Sequence, residues 1–313
     1  MSDKEVTLRR KPFIQRFKKD LRQHYLAYLM LVPAVVLIFI FSYIPMYGIL
    51  IAFKNYKPKM GILGSPWVGF EHFKTFFTGV FFPRLLRNTL WISIYGSVIG
   101  YPMPIILALL LNEVMHVRYK KVIQTISYMP YFISTVVICG MLKSFLSYDG
   151  LFNALNALTG RSAINFLSEP RYFPSIVVWS GLWQSIGWNS IIYMSALSNI
   201  DQQLYEAARI DGCGRLRQAW HVTIPGLMPT FIILLILGMG SIFSVDSDKI
   251  LLLYGPQTYE TGDVFGTYVY RIGIKGGEYD FAEAVGLCQT VVGFVLLIVV
   301  NQIARKTTEQ SLW

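Results

Sequence analysis

Charge is scarce in this chain. Only 15% of its 313 residues are charged while 54% are hydrophobic, which excludes a disordered polar chain and sits poorly with an ordinary soluble domain. Histidine is rarer still. His24, His72, His116 and His221 lie in separate segments, so no H-E-x-x-H or H-x-x-x-H spacing places two imidazoles on one helix face for zinc. Three scattered cysteines, Cys139, Cys213 and Cys288, exclude a disulfide framework. No G-x-x-x-x-G-K-[ST] loop occurs, so the phosphate cradle of a nucleotide-hydrolysing domain is missing. Low-complexity tracts, long linkers and tandem repeats are absent too, and one membrane domain is the economical organisation.

What the chain has instead is long apolar runs. Crossing a hydrocarbon core of about 30 Å takes about 20 apolar residues, and six stretches approach that length, at roughly 25–53, 86–111, 122–147, 173–197, 227–253 and 281–304. The third holds Ser127, Pro130, Ser134, Lys143 and Ser144, which a helix beside a water-filled path tolerates. The first contains Pro33 and Pro45 and lacks a small-residue cleavage site, so it reads as a retained anchor and not a signal peptide. An all-α polytopic fold of six transmembrane helices is expected over 25–304.

Lys and Arg set the orientation. The N-terminal segment carries Lys4, Arg9, Arg10, Lys11, Arg16, Lys18, Lys19 and Arg22; the second and fourth loops add Arg118, Lys120, Lys121, Arg209, Arg215 and Arg217, and the tail Arg305 and Lys306. The alternate loops hold fewer, so both termini are expected in the cytoplasm of a multi-pass protein of the cell membrane. The net charge of +10 then serves topology and anionic lipid, and needs no nucleic acid. The basic arm 1–24 reads as an interfacial helix with Phe13, Ile14 and Phe17 on its apolar face, or as a disordered tether. The tail covers 305–313. Outside, Phe70, Phe73, Phe76 and Phe77 recur at helical spacing, as do Leu151, Leu155 and Leu158, and both predict short helices on the membrane face.

Between the fourth and fifth runs lies a polar insert, 198–226, containing "YEAARIDGCGRLRQAWHVTIPGLMP". Asp201 can cap a helix through Ile210, Glu206 and Arg209 stand one turn apart, and Asp211-Gly212 supplies a left-handed stop. A second helix is expected from about Arg215 to Thr223, closed by Pro225. Such a hairpin suits docking into a groove on another protein, and it equally suits rest on lipid headgroups.

The stretch Glu206-Ala207-Ala208, three residues, Gly212, nine residues, Val222-Thr223-Ile224-Pro225 resembles the EAA loop of ABC importer permeases. "YLMLVPAVVLIFIFSYIPMYGILIAF", "PWVGFEHFKTFF", "RNTLWIS", "GTYVYRIGI" and the closing "SLW" are similar to the polysaccharide-type permeases of the carbohydrate importer group. The resemblance implies a type I importer permease fold and a coupling helix in a cleft of an ATPase subunit, with Glu206, Ala207, Ala208, Arg209, Asp211 and Gly212 at the contact and Pro225 fixing the exit of the loop. It implies a second homologous permease, two ATPase subunits that hold ATP-Mg, and an extracellular or periplasmic solute-binding protein. The chain itself would bind no cofactor or metal and would not be an enzyme.

Carbohydrates are held by aromatic rings and amides, which singles out Trp183, Gln184, Trp188 and Asn189 of the fourth run as candidates for the substrate path. Rings and small residues packing against lipid or a neighbouring helix explain the same pattern. In "SIFSVDSDKILLLYGP" Asp248 keeps a carboxylate common in the family and ranks above Asp246, although Ser247 replaces the usual aromatic. Gln289 and Asn301 are expected to make helix–helix contacts. The competing readings are an importer permease for another polar solute such as a glycerol phosphate, a secondary transporter, and a membrane-embedded enzyme.

Overall fold

The computed structural model describes residue 17, residues 20–308 and residues 311 and 312. Most of the expected basic arm and part of the tail lie outside them. Among the described residues no strand forms, and one isolated bridge pairs Lys54 with Trp67. The chain folds as helices α1 (Tyr25–Phe53), α2 (Glu71–Thr78), α3 (Phe82–Glu113), α4 (Val117–Phe132), α5 (Thr135–Phe145), α6 (Leu151–Leu158) and α7 (Phe173–Ser198). There follow α8 (Gln202–Ile210), α9 (Arg215–Met239), α10 (Ser247–Leu253), α11 (Phe265–Val269) and α12 (Tyr279–Thr308).

Helices α1, α3, α9 and α12 are long and apolar enough to cross a membrane, and α4 with α5 make a fifth such stretch if the pair is one span. That pair is bent by 97°, so the straight third crossing expected at 122–147 is corrected to a broken one. The break falls at Ile133 and Ser134, both in extended backbone. Helix α7 is 26 residues long, about 39 Å, but its Ser, Gln, Asn and Trp residues keep it below the apolarity of the others. A fifth run at 227–253 is corrected as well. Its helix ends at Met239, turns occupy 240–246, and Ser247–Leu253 forms a separate helix.

Two prolines leave the same mark. A proline ring clashes with the carbonyl four residues before it; for Pro45 that is Phe41 and for Pro225 it is His221. Each lies at the centre of a π turn, Phe39–Tyr43 and Ala219–Thr223, whose wider circuit makes room for the ring. The helix therefore runs through Pro225, where a stop was expected. Pro33 and Pro229 sit in ordinary α turns.

Packing is by close helix contact. A Cβ on Gly187 of α7 would collide with the Ser127 carbonyl of α4, so that glycine sets the separation of the two helices. Most of α1 stands clear, its apolar side chains exposed from Tyr25 to Tyr47, a surface that only lipid or another apolar chain can cover. Its C-terminal end is tied down: Tyr56 N donates to Asp280 at 2.9 Å and His72 lies 3.0 Å from the Lys54 carbonyl. Asn301, expected as a helix–helix contact, accepts from Leu312 N at 2.9 Å, and Gln289 donates to the Phe243 carbonyl at 2.7 Å.

Outside the bundle one fully buried carboxylate organises the segment between α10 and α12. Asp263 receives Arg271 through both oxygens at 3.0 and 2.7 Å, Arg84 at 3.1 Å and Thr267 at 2.9 Å. These bonds hold the Arg271 pKa above its ordinary value, so the cation persists at any working pH. Asn88 donates to the Glu260 and Asp263 carbonyls at 2.9 and 3.1 Å. Breaking such a cluster strands its cations. Asp263→Ala is expected to cost about 2–4 kcal/mol after allowance for the partly exposed guanidiniums, read as a lowered thermal midpoint of the purified protein, with Asp263→Asn intermediate.

Candidate functional site

Two features combine polar chemistry with access. The first is the hairpin after α7. Asp201 caps α8 by accepting from Gln203 N at 2.9 Å, as its sequence position predicts. The helix ends in a Schellman motif, with Cys213 N donating to the Ala208 carbonyl at 2.9 Å and Gly212 N to Arg209 at 3.0 Å. Gly212 carries φ 75°, a conformation that costs other residues about 1–2 kcal/mol.

The hairpin is presented, not covered. Glu206, Ala207, Arg209, Asp211, Gly212 and Pro225 are exposed and Ala208 half-buried. Glu206 has no hydrogen bond or ion pair with any described residue, and the expected pairing with Arg209 does not form. Ile210 and Leu216 are 87% and 88% exposed, apolar surface at the tip of a polar hairpin. The hairpin is attached to the bundle at its base. Tyr205 Oη and Thr223 Oγ1 lie 3.0 Å apart, and Arg215 reaches Glu113 at the end of α3 at 3.2 Å.

The second feature is a cavity of about 670 Å³ among α3, α7, α9 and the turns after it. Small residues contribute to two of its walls, Gly96, Ser97 and Gly100 on α3 and Gly181 and Ser185 on α7. Of the expected path residues, Gln184 and Asn189 line it, while Trp183, Trp188 and Asp248 do not. Trp183 lines an apolar recess of about 510 Å³ on another face of α7; successive helical residues point about 100° apart, so Trp183 and Gln184 cannot share a face. Trp188 stacks on Tyr131 with ring centroids 4.6 Å apart. Asp248 is exposed beyond the cavity.

Sequence reasoning singled out Asp246 and Asp248 with Lys249 and ranked Asp248 first; the structure pairs Asp246 with Lys249. Both line the cavity, Asp246 being the cap of α10 and Lys249 three residues on. The Lys249 side chain is 1% exposed, with Nζ 3.2 Å from Asp246 Oδ2 and 3.2 Å from Gln184 Oε1. A lysine inside the apolar run "KILLLY" preceded at three residues by an acid was the available signal.

With this geometry in hand, comparison with known proteins is decisive. Residues 100–307 match the family described as "Binding-protein-dependent transport system inner membrane component". The chain belongs to this family. The permease is 41% identical, over 94% of its length and 92% of the relative, to the polygalacturonan/rhamnogalacturonan transport system permease protein YteP of Bacillus subtilis (strain 168). It is 42% identical to protein LplB of the same organism, over 91% and 90% of the two chains. Among solved structures it resembles one from a bacterial ABC transporter involved in the import of the acidic polysaccharide alginate, with 40% identity, a TM-score of 0.86, and 94% and 99% of the two chains covered. A second, of the bacterial alginate ABC transporter in complex with an alginate pentasaccharide-bound periplasmic protein, gives 39% identity and the same TM-score over 95% and 100%.

The helix stop can be tested on the permease alone. A Cβ on Gly212 meets open space, so Gly212→Ala strains only the backbone. Amides of 202–210 are expected to exchange about tenfold faster than in the wild type, following that 1–2 kcal/mol, while amides of α7 keep their protection.

Proposed function

We propose that this chain is one of two permease subunits of an ATP-driven, binding-protein-dependent importer of oligosaccharides or polysaccharide fragments. The single observation that carries the reading is an exposed, unpartnered Glu206 on a capped hairpin rooted in the helix that also walls the cavity. A partner ATPase, which holds ATP-Mg, grips Glu206, Ala207, Ala208, Arg209, Asp211 and Gly212, and its closure moves α9 through Pro225. The bundle then alternates between inward-open and outward-open arrangements, and ATP binding must favour one of them energetically. The broken α4–α5 pair and α7 complete six crossings, with both termini and the hairpin in the cytoplasm, and a solute-binding protein delivers the ligand from outside.

The sugar reading draws on the relatives' names and on the cavity, whose lining of hydroxyls, amides and tyrosines is the chemistry of polyol recognition. A phosphate ester is the second reading, and the cavity favours it less: Lys249, the one cation of its lining among the described residues, is already paired with Asp246.

Reconstituted with its sister permease and ATPases, the assembly is expected to hydrolyse ATP faster when a binding protein loaded with oligosaccharide is added; no stimulation by any loaded binding protein would remove the importer reading. Because Glu206 has no partner among the described residues, Glu206→Ala should leave membrane insertion intact and lower uptake at least tenfold, and wild-type uptake would remove the coupling role. Orientation is read separately. Cys213, in the hairpin and half-buried, should react with a membrane-impermeant thiol reagent in inverted vesicles and not in intact cells.

A further inference from the structure

The cavity wall contains two charged side chains, Asp246 and Lys249, and they are exposed very differently. Asp246 is 48% exposed at its side chain and Lys249 is 1% exposed. A ligand entering the cavity meets the carboxylate, with the ammonium behind it.

The carboxylate is held from the protein side. Asp246 Oδ1 accepts from Lys249 N at 3.2 Å, and Oδ2 lies 3.2 Å from Lys249 Nζ. An ionised carboxylate oxygen has about two acceptor positions, so each oxygen keeps one for the cavity. Lys249 is fixed in turn by Gln184 Oε1 at 3.2 Å, and the Gln184 amide is oriented because its Nε2 donates to the Ile133 carbonyl at 3.2 Å. That carbonyl sits in the break between α4 and α5. Gln184, although it lines the cavity, is thereby committed on both ends of its amide to holding the lysine.

We propose that Asp246 is a binding site for sugar hydroxyls: an oriented two-oxygen acceptor for a pair of ligand O–H donors, its charge cancelled by a buried lysine. The inference rests on the saccharide importer reading and adds the group that touches the sugar. An anionic ligand group would meet Asp246 first and be repelled, and a metal cation would compete with Lys249 for the same oxygens. Neutral donors are what the arrangement suits, and hydrogen bonds to an ionised acceptor are the stronger kind. Because the pair carries no net charge, this wall reads hydroxyls and is indifferent to carboxylates elsewhere on the ligand. Neutral and acidic oligosaccharides then both engage it, and selection by charge falls to another part of the transport system.

The test is saturation-transfer NMR on the intact assembly with three probes: galactobiose, digalacturonate and per-O-methylated galactobiose. Wild type should transfer saturation to the first two and not to the third. Asp246→Asn should lose about tenfold in affinity for both, as expected for one charge-assisted hydrogen bond, and Asp246→Glu should recover part of it. Since Asp246→Asn leaves Lys249 unbalanced, the paired variant Asp246→Asn with Lys249→Met removes both charges and should still bind poorly, with a wild-type thermal midpoint. Unchanged affinity in Asp246→Asn, or recovery in the paired variant, overturns the proposal and leaves the importer reading standing. Absence of transfer to every probe in wild type overturns the saccharide reading itself.

Discussion

A hydrocarbon solvent offers no hydrogen bonds, so every polar group carried into it must find its partner within the protein. This constraint sorts the polar residues of the chain. Between α10 and α12, Asp263 gathers Arg84, Arg271 and Thr267. In the bundle, Lys249 is met by Asp246 and Gln184. On the hairpin, by contrast, Glu206 has no partner among the described residues. The difference is one of solvent. Water satisfies Glu206 at no cost to the fold, which leaves its carboxylate free for another chain, whereas Lys249 without its partners would be an isolated cation in an apolar wall.

Helix packing follows the same logic. Small residues do two different things in α7: Gly187 lets the backbone of α4 approach until a Cβ would collide, whereas Gly181 and Ser185 line the cavity. Whether a small residue produces contact or cavity depends on what stands opposite, and that is a tertiary fact. A Cβ on Gly181 would stand 3.5 Å from Lys249 Nζ, so there the missing side chain makes room for the buried lysine at the cavity wall.

The residues of the sequence differ in how far they could be read for the same reason. The hairpin was legible in detail, because Asp201, Gly212 and the residues between them act through bonds over three to six positions. The long apolar helices were legible from composition. What escaped was anything set by neighbours distant in sequence. The 97° bend at Ile133 and Ser134 has no proline or glycine at the break to announce it. Trp183 and Trp188 carried the right chemistry for sugars but turned to other faces of α7, and one residue of offset separates Trp183 from the cavity. Asp263, the most thoroughly bonded acid among the described residues, sits four residues from Thr267 and eight from Arg271, yet its contact with Arg84 spans 179 positions. Asp246 was outranked by Asp248 because family resemblance weighs positions, whereas burial of Lys249 decides which acid faces inward.

How a push on the hairpin could reach the cavity can be argued from magnitudes. Besides the short chain link from α7 at 199–201, two connections join the hairpin to the rest of the bundle. One is the Arg215–Glu113 ion pair to α3, whose side chains are 70% and 53% exposed; pairs of this kind contribute about 0–1 kcal/mol and yield to salt. The other is α9 itself. It runs unbroken from Arg215 to Met239, about 36 Å, and its Leu234 and Gly238 line the cavity. A ladder of backbone bonds over that length is far stiffer than one exposed ion pair, so of these two it is α9 that carries displacement of the hairpin toward the cavity. Its single irregularity is the π turn that accommodates Pro225, and there Thr223 Oγ1 meets Tyr205 Oη from α8. The proline therefore matters less as an end to the loop than as the place where the lever, otherwise regular to the cavity wall, can flex while remaining bonded to the element that drives it.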